Sequence, residues 1–319
     1  MKAISVHEFG GPEVLRFEDV PEPRAGAGQV LVRVKAAGVN PVETYIRAGI
    51  YGPVPFPFTP GNDAGGVVEA IGTGVAGIQP GDRVYTDKSV SGTYAPLAVC
   101  AAVNVHRLAD AVTFEQGACV GIAAGTAWRA LFQRGGAMAG ETVLVHGATG
   151  GVGTAAVQLA RAAGLIVIGT AGTDGGRRYV MDHGAHHAAG HDVTRNADQY
   201  KALTGGRGFD LVIELLANVN LASDLPAMAR NGRVVVVGSR GRIEIDPRDT
   251  MRMEVDIRGL SLPSATEKEH RAIYSGLSSA MDSGVLKPVV GMQVPLAEAA
   301  KAHREVMEGT SFGKIVLIP

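Results

Sequence analysis

A glycine-rich turn is the part of this chain whose residue types and spacing point most directly to ligand chemistry. The pattern Ala148-x-Gly150-x-x-Gly153 follows the apolar run 142–145, and a helical pattern leaves it. Glycine would let the backbone approach a pyrophosphate, and the free N–H groups at the positive end of the helix dipole would hold its charge. A strand, a glycine-rich turn and a helix in this order predict a dinucleotide site. The alternative is a tight structural turn without a ligand.

The end of the next predicted strand, 166–171, discriminates between NADH and NADPH. An NADH site usually has Asp or Glu there, about 20 residues past the glycines, to bind the ribose 2′-hydroxyl. This chain has Gly172 and Thr173 at that place, and Arg177 and Arg178 follow soon after. Guanidinium groups match a 2′-phosphate in geometry and charge, so we predict NADPH as the cofactor. The alternative is that the arginines lie on a solvated helix face.

Composition excludes several classes of protein. The 319 residues are enough for two domains, and a formal net charge of −1 gives no field that would attract nucleic acid or an anionic membrane. No apolar run approaches a membrane span, and the N-terminus lacks the apolar core of a signal peptide, so we expect a cytoplasmic protein. Cys100 and Cys119 lack metal-site or disulfide spacing and are expected to be buried.

Two patterns divide the chain. Short strands interrupted by Gly and Pro fill the first third and predict an irregular barrel. From residue 141, strands alternate with helices, which predicts a parallel doubly wound sheet with a cleft for cofactor and substrate beside it. The expected strands are 142–147, 166–171, 187–190, 210–216 and 233–238, with 255–260 extending the sheet. The remaining expected elements are helical segments at 113–135, 267–284 and 297–309 and a strand at 313–318 that returns to the first domain.

Seven motifs occur in order along the chain, at 9–15, 38–45, 59–63, 80–84, 146–153, 216–221 and 237–241. They resemble those of the zinc-free NADPH:quinone oxidoreductases of the medium-chain dehydrogenase/reductase superfamily. Two of them, around Asn40–Tyr45 and Asn218–Arg240, are specific to its zeta-crystallin branch, and the resemblance covers essentially the whole chain. It implies a GroES-like β-barrel catalytic domain at 1–122 and 266–319, and a Rossmann NADPH-binding domain at 123–265. We also expect a homodimer or homotetramer.

The metal positions of related enzymes carry other residues here. Zinc-dependent alcohol dehydrogenases of the same superfamily have Cys, a His-Glu pair and a second Cys at these places. This chain has Asn40, Asn62-Asp63 and Gly121-Ile122 instead. A catalytic zinc needs about three protein ligands, which Asp63 alone cannot supply, so we expect no metal.

The resemblance also assigns site residues. Asn40 and Tyr45 would lie at the nicotinamide, with the Tyr45 hydroxyl able to bond the cofactor or a quinone oxygen. The alternative for Tyr45 is a half-buried packing aromatic. Together with Arg177 from the pattern above, the expected cofactor contacts are Tyr45, Thr126, Thr149, Gly150, Gly151, Val152, Gly172, His191, Asn220, Val237, Gly238, Ser239, Arg240 and Lys314. A closely related reductase has Lys at the position of Gly176, so Arg177 or Arg178 would have to substitute for it.

The expected activity is reduction of a quinone, which is electron-poor and needs little help from a Lewis acid once the cofactor is placed. One alternative is an enoyl or alkenal double-bond reductase with the same fold and cofactor. Another is a non-enzymic role as an RNA-binding or structural crystallin-like protein, which the near-neutral charge and the lack of an aromatic–basic platform do not support.

Overall fold

The computed structural model describes residues 1–191, 197–309 and 311–319, and the chain divides into two compact units. Unit 1 is Met1–Ala123 with Met281–Pro319, and unit 2 is Ala124–Ala280. The second boundary lies later than the expected residue 265. The reason is local packing, because Gly276 faces the Trp128 ring and Tyr274 faces Gly125, all within unit 2.

Unit 1 begins with seven strands and two short helices. The strands are β1 (Lys2–Ser5), β2 (Arg16–Asp19), β3 (Gln29–Gly38), β4 (Ala64–Ile71), β5 (Arg83–Thr86), β6 (Leu97–Ala101) and β7 (Val105–Arg107). The helices are α1 (Pro41–Arg47) and α2 (Phe114–Gly117). A π-helical turn at Val120–Ala124 then leads to the second unit.

Unit 2 alternates helices and strands. Its helices are α3 (Gly125–Trp128), α4 (Gly151–Ala162), α5 (Asp174–Asp182), α6 (Ala197–Ala202), α7 (Ala217–Asp224), α8 (Arg248–Met253) and α9 (Glu267–Asp282), whose last residues belong to unit 1. Its strands are β8 (Thr142–Val145), β9 (Ile166–Ala171), β10 (His187–Gly190), β11 (Phe209–Glu214), β12 (Met228–Val236) and β13 (Asp256–Gly259). A second π-helical turn, Arg129–Arg134, extends α3, so 113–135 is largely helical, as the spacing predicts.

The chain then completes unit 1 with β14 (Val290–Pro295), α10 (Ala299–Glu308) and β15 (Lys314–Ile318). The seven-stranded sheet has the order β14-β15-β3-β4-β5-β7, with β6 paired to β3, and a separate pair joins β1 to β2. Strand β15 pairs antiparallel with β3 through Val316 opposite Gly38 and Leu317 opposite Ala37. The expected return of the last strand to the first domain is therefore confirmed.

The sheet of unit 2 is parallel throughout and has the order β10-β9-β8-β11-β12-β13. Its central strands carry apolar side chains that are fully buried, among them Leu144, Ile168, Val212 and Val234. The chain runs outward from β8 in one direction and resumes at β11 in the other, so the topological switch point lies between these two strands. Ligands of open α/β sheets bind at the carboxyl ends of the strands at such a point.

Strand β12 is longer than expected. It begins at Met228, five residues before the expected start, although Arg230-Asn231-Gly232 has the composition of a turn. Met228 pairs with Phe209, and the register then shifts while Asn231 takes a left-handed φ of 58°. The pairing of this strand with β11 therefore continues on both sides of a local irregularity that composition alone predicts as a break.

Two further expectations concern the core and the membrane. Cys100 and Cys119 are both free and buried, as expected, and burial raises the pKa of each thiol to about 12. Within the described ranges, the helices are all too short or too polar to cross a membrane.

Candidate functional site

The glycine-rich turn joins the end of β8 to the start of α4 in unit 2. Gly147 has a left-handed φ of +53°, and Gly150 is the N-cap of α4. The Ala148 N–H donates to the Thr170 carbonyl at 2.9 Å, and the Gly147 N–H donates to the Thr170 hydroxyl at 3.1 Å. The turn is thus fixed to the end of β9. The predicted contacts Thr149, Gly150, Gly151 and Val152 are all partly exposed around the first turn of the helix.

Gly150 and Gly153 serve different needs. A Cβ at Gly153 would lie 2.4 Å from the Gly147 carbonyl oxygen and 2.6 Å from the Ala148 Cα, so only glycine lets α4 pack against the turn. A Cβ at Gly150 would meet the Gly147 oxygen at 3.7 Å and nothing closer, and the backbone there is extended. The protein itself therefore does not require glycine at 150. A ligand phosphate that approaches the backbone would require glycine at this position.

The expected adenosine end lies beyond β9. A Cβ at Gly172 would lie 3.3 Å from the His191 ring, so these two predicted contacts are neighbours. The Thr173 hydroxyl caps α5 by accepting the Gly176 N–H at 3.0 Å. Arg177 in the first turn of α5 is paired with Asp174, and its side chain is partly exposed.

Gly176, at the position where the related reductase has Lys, has little room for a side chain. A Cβ at this buried position would lie 3.0 Å from the Ala171 Cβ and 3.2 Å from the Thr149 methyl group. A larger side chain would therefore crowd the glycine-rich turn. The cation expected at a 2′-phosphate must come from another residue, for which Arg177 and the exposed Arg178 remain the candidates.

The predicted contacts after β11 and β12 are tied to each other by the main chain. The Val237 and Gly238 N–H groups donate to the Glu214 carbonyl at 2.8 and 3.3 Å, and the Gly238 carbonyl accepts the Ala217 N–H at 2.9 Å. The Arg240 N–H donates to the Asn218 side chain at 2.7 Å. The structure thus brings the loops after two adjacent strands together at the carboxyl edge of the sheet.

The structure also places two other predicted cofactor contacts within unit 2. Thr126 is buried in α3, and the Ser239 hydroxyl donates to the Gly241 carbonyl at 3.0 Å in an exposed loop.

A buried polar cluster in unit 1 contains Asn40, Glu43, Asp63 and Lys314. The Asn40 side-chain amide donates to Glu43 Oε1 and to Asp63 Oδ2, each at 3.1 Å. Its oxygen accepts the Lys314 ammonium at 2.5 Å, and the same ammonium binds Asp63. Asn40 also N-caps α1, and its N–H donates to Glu43 Oε2 at 2.6 Å. The side chains of Asn40 and Lys314 are therefore engaged within unit 1.

The ionisable groups of this cluster are buried. Burial raises the pKa of Glu43 to about 7, and the nearby Asp63 carboxylate adds to that rise. Burial also raises the pKa of Asp63, while the adjacent Lys314 ammonium opposes the rise. A buried carboxyl group needs either a charged partner or a bound proton. Asp63 has the Lys314 ammonium as its partner, and Glu43 retains a proton more readily than an exposed glutamate near neutral pH.

A catalytic zinc does not fit the residues at the positions compared above. The Asn40 and Asp63 oxygens that would face a cation are already bound to the Lys314 ammonium. The other Asp63 oxygen accepts the Ile122 N–H at 2.8 Å. An internal ammonium therefore binds the two side chains that stand at the metal-ligand positions compared above, and the sequence did not reveal this role because Lys314 is 251 positions from Asp63.

Tyr45 follows this cluster on α1. Its side chain is half-buried, and its ring centroid lies 6.1 Å from that of Tyr51. The hydrogen bonds from Asn40 to Glu43 and Asp63 fix the start of the helix that carries Tyr45.

Comparisons with known proteins agree with this geometry. A family model described as the alcohol dehydrogenase GroES-like domain matches residues 26–166, and one described as zinc-binding dehydrogenase matches 151–276. A quinone oxidoreductase of Homo sapiens is 48% identical over 100% of this chain and 98% of its own length. The chain belongs to the quinone oxidoreductase family.

Solved structures of the family extend the comparison. A mycobacterial protein complexed with NADPH is 33% identical with a TM-score of 0.93, and each chain is covered fully. The quinone oxidoreductase of Escherichia coli, also complexed with NADPH, is 30% identical with a TM-score of 0.90, again over the whole of both chains. The predicted fold, a GroES-like domain with a Rossmann domain, is confirmed.

The contrast between the two glycines gives a prediction. Gly150→Ala should lower the free energy of unfolding by at most about 1 kcal/mol, because its Cβ clashes with nothing and only the N-cap preference for Gly over Ala is lost, yet it should weaken NADPH binding. Gly153→Ala should lower the free energy of unfolding by about 1–3 kcal/mol, because its Cβ overlaps backbone atoms. Denaturant unfolding and a fluorescence titration with NADPH measure the two quantities. Gly150→Ala binding NADPH as tightly as the wild type would contradict the ligand role.

The buried ammonium gives a second prediction. Lys314→Met should lower the free energy of unfolding by about 3–5 kcal/mol at pH 8, because it leaves Asp63 charged and unpaired. The loss should shrink as the pH falls toward 4. Burial without a partner raises the pKa of Asp63 in the folded variant, so the folded state binds a proton there at a pH where the unfolded chain does not. Urea unfolding at several pH values measures both effects.

Two variants serve as controls. Lys314→Met with Asp63→Asn should regain most of the stability, since Asp63 then no longer leaves an unpaired buried charge. Lys301→Met removes an exposed pair with Glu298 and should cost at most about 1 kcal/mol. Equal losses for Lys301→Met and Lys314→Met would rule out the assigned role of Lys314.

Proposed function

We propose that this chain reduces quinones with NADPH and without a metal. The glycine-rich turn carries the proposal, because Gly150 leaves the backbone open at the start of α4 where no protein atom needs the space. Membership of the quinone oxidoreductase family and the NADPH-bound structures of its relatives support the choice of cofactor and substrate. A cytoplasmic location and a homodimer or homotetramer are part of the same proposal.

The chain's own residues would contribute placement more than chemistry. Reduced nicotinamide supplies the electrons, and a quinone accepts them with little Lewis-acid help. Lys314 fixes Asn40 and Asp63, and Asn40 caps α1, so Tyr45 is presented from a helix with a rigid start. We propose that Tyr45 contacts the nicotinamide or a quinone oxygen through its hydroxyl, and that Asn40 acts by positioning.

An aromatic surface on unit 1 supports a flat apolar substrate. Phe9 and Phe56 stack edge to face at 4.9 Å, and Phe9 lies against Gly49 just past α1. Tyr51, beside Tyr45, is 67% exposed, and Phe56 is 41% exposed. Exposed apolar side chains grouped in this way are typical of a binding surface, and quinone rings could stack there.

A substrate panel tests the proposed function. NADPH oxidation followed by absorbance should be fast with quinones and slow with conjugated enones, and dialysis against a chelator should leave the rate unchanged. Turnover of enones alone would identify a double-bond reductase instead. A rate lost on chelation and restored by zinc would disprove metal independence.

Two variants then test Tyr45 in the same assay. Tyr45→Phe should slow turnover only modestly, because the ring that shapes the site is kept and, in this proposal, no obligatory proton donor is lost. Tyr45→Ala should slow it more, since the ring is also lost. A thousandfold or larger loss in Tyr45→Phe, with NADPH affinity intact, would instead indicate a general acid.

The cofactor preference gives a prediction for α5. Removing the arginine that contacts the 2′-phosphate should raise the KM for NADPH by about 10- to 100-fold and spare NADH, because a charge-assisted hydrogen bond is lost. Arg177→Ala and Arg178→Ala test the two candidates, with the exposed Arg230→Ala as the control. A wild-type enzyme that prefers NADH would contradict the assignment.

A further inference from the structure

Four buried side chains in unit 2 form a polar network that the proposed function leaves unexplained. His146 follows β8, Glu214 ends β11, Tyr200 belongs to α6 and Asp224 ends α7. All four are at most 2% exposed, and we call them the His146 cluster. Because β8 and β11 flank the topological switch point, the cluster lies at the end of the sheet where the dinucleotide site is proposed.

Three oxygens converge on one nitrogen in this cluster. His146 Nε2 lies 2.8 Å from Asp224 Oδ1, 2.8 Å from the Tyr200 hydroxyl and 3.3 Å from Glu214 Oε2. The Tyr200 hydroxyl also donates to Asp224 Oδ1 at 3.3 Å. The imidazole nitrogen has at most one proton to give, so it cannot satisfy all of these oxygens by itself.

Glu214 connects the cluster to the residues expected to contact the cofactor. Its Oε1 accepts the Leu216 N–H and, at 3.2 Å, the Asn220 side-chain amide. Its carbonyl oxygen accepts the Val237 and Gly238 N–H groups. One residue thus ties down both loops that follow β11 and β12, while its Oε2 faces the cluster.

We propose that Glu214 is a positioning residue for the loops after β11 and β12, and that it does this work while the His146 cluster retains a carboxyl proton. The proposal rests on the assignment of the dinucleotide site to this edge of the sheet. Glu214 does not touch the cofactor in this account. It sets the positions of Asn220, Val237 and Gly238, which do.

The charge balance of the cluster supports a retained proton. Burial raises the pKa of Glu214 to about 8 and that of Asp224 to about 7, and it lowers the pKa of His146. Burial also keeps the Tyr200 hydroxyl protonated, with its pKa well above 10. One atom from each of His146, Glu214 and Asp224 lies within 4.8 Å of the others. Two adjacent buried carboxylates beside a neutral imidazole would repel each other, so a carboxyl proton is retained near neutral pH.

The proposal has a consequence for cofactor binding. When the pH rises through about 7 to 8, the cluster loses its proton and gains a second negative charge where no water can solvate it. Relief of that repulsion moves Glu214 and the loops it holds. NADPH affinity should therefore fall with rising pH, while the adenosine end of the site, formed beyond β9, should be unaffected.

Two substitutions of Glu214 in the full-length chain test this. Glu214→Gln keeps an oxygen for Leu216 and Asn220 and replaces the carboxyl proton with an amide N–H, so it should bind NADPH nearly as the wild type does at pH 6.5 and lose the decline toward pH 9. Glu214→Ala should bind NADPH about tenfold more weakly, because Leu216 and Asn220 lose their side-chain acceptor while the main-chain bonds to Val237 and Gly238 remain. Its affinity for 2′,5′-ADP, which represents the adenosine half alone, should be unchanged.

Asp210→Asn is the matched control, since Asp210 lies at the opposite end of β11 and bonds Arg207 and the Thr142 N–H. It should keep the wild-type pH profile, which also contains the titration of the cofactor itself. If Glu214→Ala does not fold, the pH profile of Glu214→Gln decides alone.

Several results would overturn the proposal. A Glu214→Gln profile that follows the wild type would do so, as would equal losses of NADPH and 2′,5′-ADP affinity in Glu214→Ala. Either result, with the wild type still binding NADPH, would leave the proposed function intact. A wild-type chain that binds neither ligand at any pH would instead disprove the proposed function.

Discussion

The close approach of α4 to the end of β8 is the contact on which the dinucleotide site depends. The absence of a side chain at Gly153 lets the helix rest on the Gly147 carbonyl and the Ala148 backbone. That contact aims the free N–H groups of the first helical turn at the edge of the sheet, where the dipole favours an anion. The Thr170 carbonyl and hydroxyl then hold the turn against β9, so two neighbouring strands share one ligand-binding end.

Each unit contains buried acidic groups, and each compensates them differently. In unit 1, the Lys314 ammonium binds Asp63 and Asn40 directly, so the compensating charge is built into the chain. In unit 2, Glu214 and Asp224 lie beside a histidine whose pKa is lowered by burial, so the compensation falls to a proton. A covalently tethered cation does not exchange with solvent, whereas a proton responds to pH.

The buried cluster of unit 1 is consistent with a quinone oxidoreductase that works without a metal. The Asn40 and Asp63 oxygens, at the positions where zinc-dependent relatives have metal ligands, bind the Lys314 ammonium. A quinone needs less polarisation than an alcohol does, so an apparatus that only positions the reactants is adequate. The aromatic surface beside Tyr45 is where we propose that such a substrate stacks.

The sequence by itself determined the fold class, the parallel sheet and the glycine-rich turn, because alternation, helical spacing and glycine positions are local signals. It did not place the boundary inside α9, since Gly276 and Trp128 meet only after folding. Nor did it reveal that Lys314 neutralises Asp63, or that Glu214 lies beside His146 and Asp224 and bonds the loops after two strands. Those partners are far apart along the chain, and only the tertiary structure decides which buried charge meets which, because burial and distance together set its energy.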